Sequence, residues 1–227
     1  MSYAFSGVNQ HLAGSFTSTY ASTPLTLACF IKITVHPAAN RSPFYFGNSS
    51  ASIDDSQALQ TDTTVDSFGC YSRTTTSVAG LASQNIDNTW AAFVGVFTTS
   101  SLRDIYIKTA STTGQNTATR AVANVMQFLS LGENFAGAAD YTGKIAEAAI
   151  WNIALGTSDI DTYMRQTRRA SSIAASSLIG YWPLSVSGAL NNLGTDAGGT
   201  LTATGATFDN DHPGLGTSYQ LMGQAAA

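Results

Sequence analysis

The chain contains few side chains that could act as a catalytic acid and base, and its only two glutamates are Glu133 and Glu147. Hydrolysis of a glycosidic bond uses two carboxyl groups held close together, one as the acid and the other as the base or nucleophile. Two carboxylates share one face of a β-strand when they stand two or four residues apart. Glu147 has no carboxylate at either spacing, and Glu133 precedes it in a predicted loop. We therefore expect a protein without enzymatic activity and without catalytic residues.

The other acidic and basic side chains occur where turns and helix starts favour them. Asp54 and Asp55 are adjacent, as in a turn, and Asp159 and Asp161 suit the positive N-terminal end of a helix. No G-x-S-x-G sequence is present to place a serine nucleophile. We expect the three histidines to be structural or exposed to solvent: His11, His36 and His212.

One polar loop has the composition of a sugar-binding site. Glu133 and Asn134 open this loop, and Asp140 and Tyr141 close it. Carboxylate and amide groups can bind sugar hydroxyls, and an aromatic ring can pack on the apolar face of a sugar. Asn134, Asp140 and Tyr141 are therefore candidate carbohydrate-binding residues, and the alternative is an ordinary polar loop. The three tryptophans lie in apolar segments and are expected to pack in the core: Trp90, Trp151 and Trp182.

Composition and charge exclude several classes of partner. Only 11% of the residues are charged, against about 25% in average soluble domains. The net charge is −4 and no basic stripe occurs, so we expect no nucleic-acid partner. No apolar run approaches the length of a membrane span, and the N-terminus has no signal-peptide pattern, so we expect no membrane partner. Cys29 and Cys70 lie in apolar segments and are expected to be buried thiols without a disulfide.

Alternation of apolar and polar residues with a period of two dominates the chain. In residues 25–35 every odd position is apolar, whereas Thr26, Lys32 and Thr34 fall on the other face, as in a half-buried strand. Residues 92–97 and 102–108 show a similar pattern, and the short polar connection between them predicts a hairpin. Further strands are predicted at residues 4–12 or part of that range, 44–46, 68–72, 128–131, 144–151 and 178–184. Strands at this spacing, separated by turn-forming residues, predict an all-β antiparallel sandwich.

One segment has the pattern of a short helix. Thr157 and Ser158 offer an N-cap, and Ile160, Tyr163 and Met164 form one apolar face. Three arginines suit the negative C-terminal end of this helix, and the alternative for them is an anion or partner site: Arg165, Arg168 and Arg169. We expect the helix to pack one side on the sandwich.

The segment at residues 141–155 reads Tyr-Thr-Gly-Lys-Ile-Ala-Glu-Ala-Ala-Ile-Trp-Asn-Ile-Ala-Leu. It resembles the closing strand G-x-I-x-E-x-x-I-W-N-x-x-L of laminin G-like and pentraxin-like jelly rolls, which belong to the concanavalin A-like lectins and glucanases. Residues 4–12, 25–32 and 89–96 resemble three earlier strands of that family in the required order. The resemblance covers about residues 4–167. It implies a jelly roll (an antiparallel β-sandwich) whose family role is recognition or assembly.

The resemblance also bears on calcium, since related proteins bind Ca²⁺ through clustered carboxylates and amides. Residues 123–128, where pentraxins carry an acidic loop, hold no carboxylate here. Ala146 stands where these families usually have an acidic residue. We therefore expect no metal ion and no other cofactor.

The C-terminal part contains a further element, Ile179-Gly180-Tyr181-Trp182-Pro183-Leu184, which resembles the segment that commonly begins such domains. We predict one sandwich domain over residues 1–214, with a closing element at residues 178–208. Residues 215–227 would form a tail that makes an assembly contact.

Three functions remain open. The leading hypothesis, by analogy at the level of the fold, is a non-enzymatic structural protein of a tailed-bacteriophage virion, such as a capsid decoration protein, head fibre or tail appendage, with binding of a host-surface glycan as an added role. Its partners would be the major capsid protein or tail proteins and further copies of itself. It would reside in the virion and be made in the host cytoplasm without a signal peptide. The alternatives are a soluble lectin-like carbohydrate-binding module and, third, an unusual glycoside hydrolase.

Overall fold

The computed structural model describes residues 1–7, 9–34, 39–48, 55–64, 66–107, 114–122, 125–134, 140–188 and 190–214. Within these residues, fifteen strands form two antiparallel sheets whose inner faces pack together. The predicted all-β sandwich is therefore confirmed.

The strands are numbered along the chain. They are β1 (Ser2–Ser6), β2 (His11–Tyr20), β3 (Leu25–Lys32), β4 (Arg41–Gly47), β5 (Ser56–Thr61), β6 (Ser67–Arg73), β7 (Ser77–Ser83), β8 (Ala91–Thr99), β9 (Leu102–Ile107), β10 (Gly114–Asn116), β11 (Met126–Leu131), β12 (Thr142–Trp151), β13 (Leu178–Trp182), β14 (Thr202–Thr204) and β15 (Thr207–Asp209). The α-helix α1 (Thr157–Met164) follows β12, and two short 3₁₀ turns follow α1 at Ala170–Ser172 and Ala175–Ser177.

Each sheet has a simple neighbour order. The eight-stranded sheet runs β10-β9-β8-β3-β12-β1-β15, and β13 also pairs with β12. The seven-stranded sheet runs β14-β2-β11-β4-β5-β6-β7. Large apolar side chains from both inner faces fill the space between the sheets, among them Leu27, Phe46, Leu59, Phe93 and Ile150.

The central strands agree with the alternation pattern. β3 forms as predicted, and β8 and β9 are antiparallel neighbours that pair Gly95 with Ile105. The outer face of β3 is more buried than its pattern predicts, because α1 covers the outside of this sheet. Phe30 packs on Tyr163 of α1 with the ring centroids 5.3 Å apart.

Residues 4–12, predicted to form a strand over all or part of their length, contribute to two strands in different sheets. β1 ends in the eight-stranded sheet, and β2 begins in the seven-stranded sheet. Between them Gly7 has a φ of 110° and Asn9 a φ of 59°, two conformations that turn the chain sharply. The prediction of a strand over part of this segment is therefore confirmed, and the turn divides the segment between the two sheets.

The predicted helix is confirmed, but its cap is not. α1 begins at Thr157, so its N-cap is Gly156, and no side chain caps it. The Gly156 carbonyl accepts the backbone N–H groups of Asp159 and Ile160. Ile160 is buried against the eight-stranded sheet, as its apolar pattern predicts.

The cysteines and two of the tryptophans lie in the core. Cys29 and Cys70 are buried free thiols, and burial raises the pKa of Cys70 to about 12. Trp151 and Trp182 are buried, as predicted. Trp90 is only half-buried, and its Nε1 donates to Asp211 Oδ1 at 3.0 Å.

The C-terminal part adds strands to both sheets. β13 pairs with β12, β14 with β2 and β15 with β1. Asp196, in the loop between β13 and β14, fastens this segment to β2 through its carboxylate, which accepts the backbone N–H groups of Thr17 and Ser18 and the hydroxyl of Tyr20. The residues 215–227, predicted to form an assembly contact, lie outside the described residues.

A half-exposed ion network holds the chain beyond β15 against the eight-stranded sheet. Asp211 Oδ2 accepts Lys32 Nζ at 2.8 Å and Lys144 Nζ at 3.0 Å. The hydrogen bond from Lys32 lowers the pKa of Asp211 and outweighs the opposing effect of burial. No helix among the described residues has both the length and the apolar character to cross a membrane.

Candidate functional site

The outer face of the seven-stranded sheet carries a shallow depression. Alternation along β4, β5 and β6 turns the phenylalanines and leucine inward and leaves Tyr45, Gln60 and Tyr71 on the outer side. The depression is lined by tyrosine rings, amides, hydroxyls and one guanidinium group: Asn40, Tyr45, Ser56, Ala58, Gln60, Tyr71, Arg73, Ser77 and Asn134. Its volume of about 30 Å³ holds only water, so a larger ligand would rest across it.

Tyr71 forms an aromatic platform at this face. Its ring lies across Gly69, and a Cβ atom at residue 69 would overlap Tyr71 Cε2 and come within 2.9 Å of Leu81 Cδ2. The ring is half-buried, and its hydroxyl donates to Asp62 Oδ1 at 3.2 Å. The ring is held in place before any ligand arrives, because Gly69 leaves room for it, Leu81 lies beside it and Asp62 accepts its hydroxyl. A ring that is already fixed loses less entropy on binding.

Burial and the neighbouring Asp62 carboxylate both raise the pKa of Tyr71. The phenol therefore stays protonated at neutral pH and remains a hydrogen-bond donor.

Tyr45, on β4 of the same sheet, also has its ring across a glycine. Its ring lies across Gly47, where a Cβ atom would come within 2.6 Å of Tyr45 Cζ. Tyr45 is almost fully buried and forms the floor of the depression rather than an exposed platform.

Amide and hydroxyl groups surround the two rings. Gln60 lines the depression, and its Nε2 donates to Ser42 Oγ at 2.9 Å. Asn134 is buried at the edge of the same depression, and Ser77 is exposed there. Amides and hydroxyls beside an aromatic ring are the groups that bind uncharged polyols.

The structure separates the three residues predicted as a sugar site. Asn134 lines the depression. Asp140 is half-buried, and its Oδ1 accepts the backbone N–H of Asn9 at 3.3 Å. Tyr141 is fully buried, packs its ring on Phe5 and donates its hydroxyl to the Lys32 carbonyl at 3.2 Å. The role predicted for Tyr141 is therefore corrected, because a ring inside the core has no face for a sugar.

The two glutamates have different surroundings, since Glu147 lies in a strand and Glu133 in a loop. Glu133 follows β11, and its Oε1 lies 3.0 Å from His11 Nδ1. Glu147 sits at a bulge in β12 with a φ of 51°, and its Oε2 accepts the Tyr181 hydroxyl at 2.5 Å. Burial raises the pKa of Glu147, and the hydrogen bond from Tyr181 opposes that rise.

A second depression is apolar and lies beyond β13. Its volume is about 220 Å³, and its walls include Trp182, Leu184, Val186, Leu190 and Leu193. Ser185 and Asn191 also line it, but its lining residues include no tyrosine and no charged side chain. Across the residues that the structure describes, no three His, Cys, Asp or Glu side chains gather in a group that could hold a metal ion.

Comparisons with known proteins agree with this architecture. The sequence model of the family described as the concanavalin A-like lectin/glucanases superfamily matches residues 6–161. None of the curated proteins matches the chain.

Three solved structures have a similar fold at low sequence identity, which shows the fold alone. A protein described as carbohydrate-binding from Bacteroides ovatus superposes with a TM-score of 0.63 at 14% identity over 95% of this chain, which spans 62% of that protein's length. A heptameric SAP-like pentraxin from Limulus polyphemus superposes with a TM-score of 0.62 at 14% identity, over 93% of this chain and 95% of the pentraxin. The CBM40 domain of a Ruminococcus gnavus sialidase, bound to α2,3-sialyllactose, superposes with a TM-score of 0.52 at 12% identity, over 70% of this chain and 96% of that domain.

Proposed function

Because the chain belongs to the concanavalin A-like lectin/glucanase superfamily, we propose that it is a non-catalytic carbohydrate-binding module. Its ligand rests on the outer face of the seven-stranded sheet, across the depression around Tyr71. This is the lectin-like alternative among the functions open from the sequence.

The observation that carries the proposal is the fixed ring of Tyr71. A sugar presents an apolar face of C–H groups and a rim of hydroxyls, so its binding site needs a flat ring with hydrogen-bonding groups at the ring's edge. The Tyr71 ring lies across Gly69, and Gln60 and Asn134 line the same depression.

The surroundings of the glutamates support a binding role over hydrolysis. A glycosidase holds its two carboxyl groups on either side of one glycosidic bond. Glu147 belongs to the eight-stranded sheet and is engaged by Tyr181, whereas Glu133 follows a strand of the other sheet and faces His11. Neither residue lines the depression around Tyr71.

The structural neighbours support the same class of ligand. One is described as a carbohydrate-binding protein, and another was solved with a sialylated sugar bound. Because the identities are only 12 to 14%, the identity of the glycan must be found by experiment.

Glycan-array screening of the full chain, followed by calorimetry on the bound glycan, tests the proposal. We expect saturable binding that Gln60→Ala weakens about three- to tenfold, since one hydrogen bond contributes about 1 kcal/mol. Gln115→Ala is the matched control. Gln115 is an exposed glutamine of the eight-stranded sheet whose amide likewise has a single side-chain partner, Asp104 Oδ1 at 2.6 Å.

Two results would count against the proposal. One is an array on which no glycan binds. The other is a bound glycan whose affinity falls with Gln115→Ala and not with Gln60→Ala, which would move the site to the opposite sheet.

The virion role, the virion partners, the homo-oligomeric state and the virion localisation stay predictions. No contact among the described residues bears on them. Mass spectrometry of purified phage particles would test the virion role, and absence of the chain from them would contradict it.

A further inference from the structure

Three arginines have side chains near the turn between β6 and β7, and one of them, Arg73, lines the depression around Tyr71. Arg73 is the last residue of β6 and lines the depression. Arg103, on β9, is fully buried between the sheets. Arg120 is half-buried and reaches the β6–β7 turn, where its Nη1 lies 3.5 Å from Thr74 Oγ1.

Arg103 is a buried cation whose hydrogen-bond partners are all neutral. Its Nε donates to Ser72 Oγ at 3.0 Å and its Nη2 to the Ser100 carbonyl at 2.9 Å. Its Nη1 donates to Asn116 Oδ1 at 2.8 Å and to the Ala118 carbonyl at 3.0 Å. These oxygens accept four of its five N–H donors but do not neutralise its charge.

Arg120 lies beside Arg103 and adds a second positive charge. The Ser100 carbonyl that accepts Arg103 Nη2 also accepts the backbone N–H of Arg120 at 2.7 Å. Burial lowers the pKa of Arg103, and the nearby charge of Arg120 lowers it further. Arg120 Nε is buried and has no hydrogen-bond partner among the described residues.

No carboxylate balances this pair in the described part of the chain, where neither Arg103 nor Arg120 forms an ion pair within 4 Å. Asp104 is the next residue along β9, but it lies on the other face of the strand, where its carboxylate accepts the amide of Gln115. The chain as a whole has a net charge of −4, so this positive region departs from the overall charge.

The positive region adjoins the proposed sugar platform. Thr74, which Arg120 approaches, directly follows Arg73, and Ser77 at the other side of the turn also lines the depression. A glycan lying across Tyr71 toward this turn would bring its substituents close to Arg120. Guanidinium groups bind carboxylate and sulfate oxygens through charge-assisted hydrogen bonds, which are stronger than neutral ones.

We infer that the glycan bound at this face is acidic, and that its carboxylate or sulfate group binds at Arg120. Arg103 acts as a positioning residue, because its uncompensated charge raises the potential at that point. This inference rests on the proposed function and adds the class of glycan.

The test uses glycans in pairs that differ only in an acidic group. Trigalacturonate and its methyl ester vary the carboxylate, and 3′-sulfolactose and lactose vary the sulfate. These pairs are printed on the array with others of the same design, and calorimetry follows on each pair that binds. We expect the acidic member to bind at least tenfold more tightly in about 0.05 M salt and the preference to shrink in 0.5 M salt, because salt screens the attraction.

Variants of the full chain then assign the preference to Arg120. Arg120→Gln should reduce it to less than threefold, and Arg120→Lys should keep part of it because the charge remains. Arg168→Gln, at an exposed arginine beyond α1, is the control that should leave the preference unchanged. Thermal unfolding of each variant shows that its fold is intact.

Each outcome decides between the two proposals. Equal binding of acidic and neutral members would overturn the acidic-glycan inference and leave the carbohydrate-binding proposal standing. A preference that Arg120→Gln does not reduce would also overturn it. If no glycan of either kind binds, both proposals fail.

Discussion

Replacing Tyr71 by alanine is expected to weaken glycan binding about 30-fold or more, while the chain remains folded. An aromatic residue at the centre of a binding site typically contributes about 2 kcal/mol or more, which corresponds to that factor. The ring of Tyr71 lies on the outer side of the sheet and is half-buried, so its removal leaves the core between the sheets intact. Calorimetry with the glycan selected on the array measures the change.

Two further variants separate ring packing from other effects. Tyr71→Phe removes only the hydroxyl that donates to Asp62 and should lower the affinity less than about threefold. Trp90→Ala removes another half-buried aromatic ring bonded to an aspartate, but on the opposite sheet, and should leave the affinity unchanged. An affinity that survives Tyr71→Ala would show that the glycan binds elsewhere.

Replacing Asp196 by alanine is expected to lower the free energy of unfolding by about 2 to 3 kcal/mol, because several donors lose the one buried, charged acceptor that they share. The carboxylate of Asp196 accepts the Thr17 hydroxyl at 2.8 Å, the Tyr20 hydroxyl at 2.6 Å and the Gly198 N–H at 2.7 Å, besides two backbone N–H groups of β2. Asp196→Asn keeps part of this network and should lower the free energy of unfolding by about half as much. Urea unfolding at pH 7 measures both.

The same carboxylate gives the stability a defined pH dependence. Burial alone would raise the pKa of Asp196, but the hydrogen bonds from Tyr20 and Gly198 outweigh it and hold the pKa well below its usual value of 3.8. A lowered pKa stabilises the folded chain above the unfolded-state pKa, and this stabilisation is lost as the pH falls below that value. The difference between the wild type and Asp196→Asn should therefore shrink from pH 6 to pH 3.

An exposed aspartate provides the control for this stability prediction. Asp161 pairs with Arg165 at 2.6 Å on the surface of α1, and Asp161→Ala should cost at most about 1 kcal/mol. If Asp196→Ala cost no more than Asp161→Ala, the carboxylate of Asp196 would not be what fastens the C-terminal segment to β2.

The sequence predicts the parts of the fold in which large apolar residues alternate with polar ones. β3 and the β8–β9 hairpin have that pattern and form as expected. β5 was missed because it carries one large apolar side chain, Leu59, and fills the neighbouring inward position with Gln57. Gln57 can be buried because its amide bonds to Ser22 and to Ser72 of the neighbouring strand, contacts that exist only in the folded chain.

The candidate site could likewise be predicted only in part from the sequence. The strand predicted at residues 68–72 already places Tyr71 opposite the inward Phe68 and Cys70, so a period-two reading could have identified it as outward-facing. That its ring lies across Gly69 and against Leu81 depends on the pairing of β6 with β7, which the sequence pattern does not give. Tyr141 was misassigned for the same reason, since only the packing of the sheets shows that its loop directs the ring into the core.

Hydrogen–deuterium exchange of the chain with and without a saturating concentration of the glycan selected on the array tests the central claim most directly. A ligand across the seven-stranded sheet should slow amide exchange in β5, β6 and β7 and leave β1, β12 and β13 unchanged, because only the first group borders Tyr71. Protection confined to β12 and β13, or to the loop around Val186 and Leu193, would place the ligand on the other side of the molecule. That result would contradict the assignment of the binding site to this face.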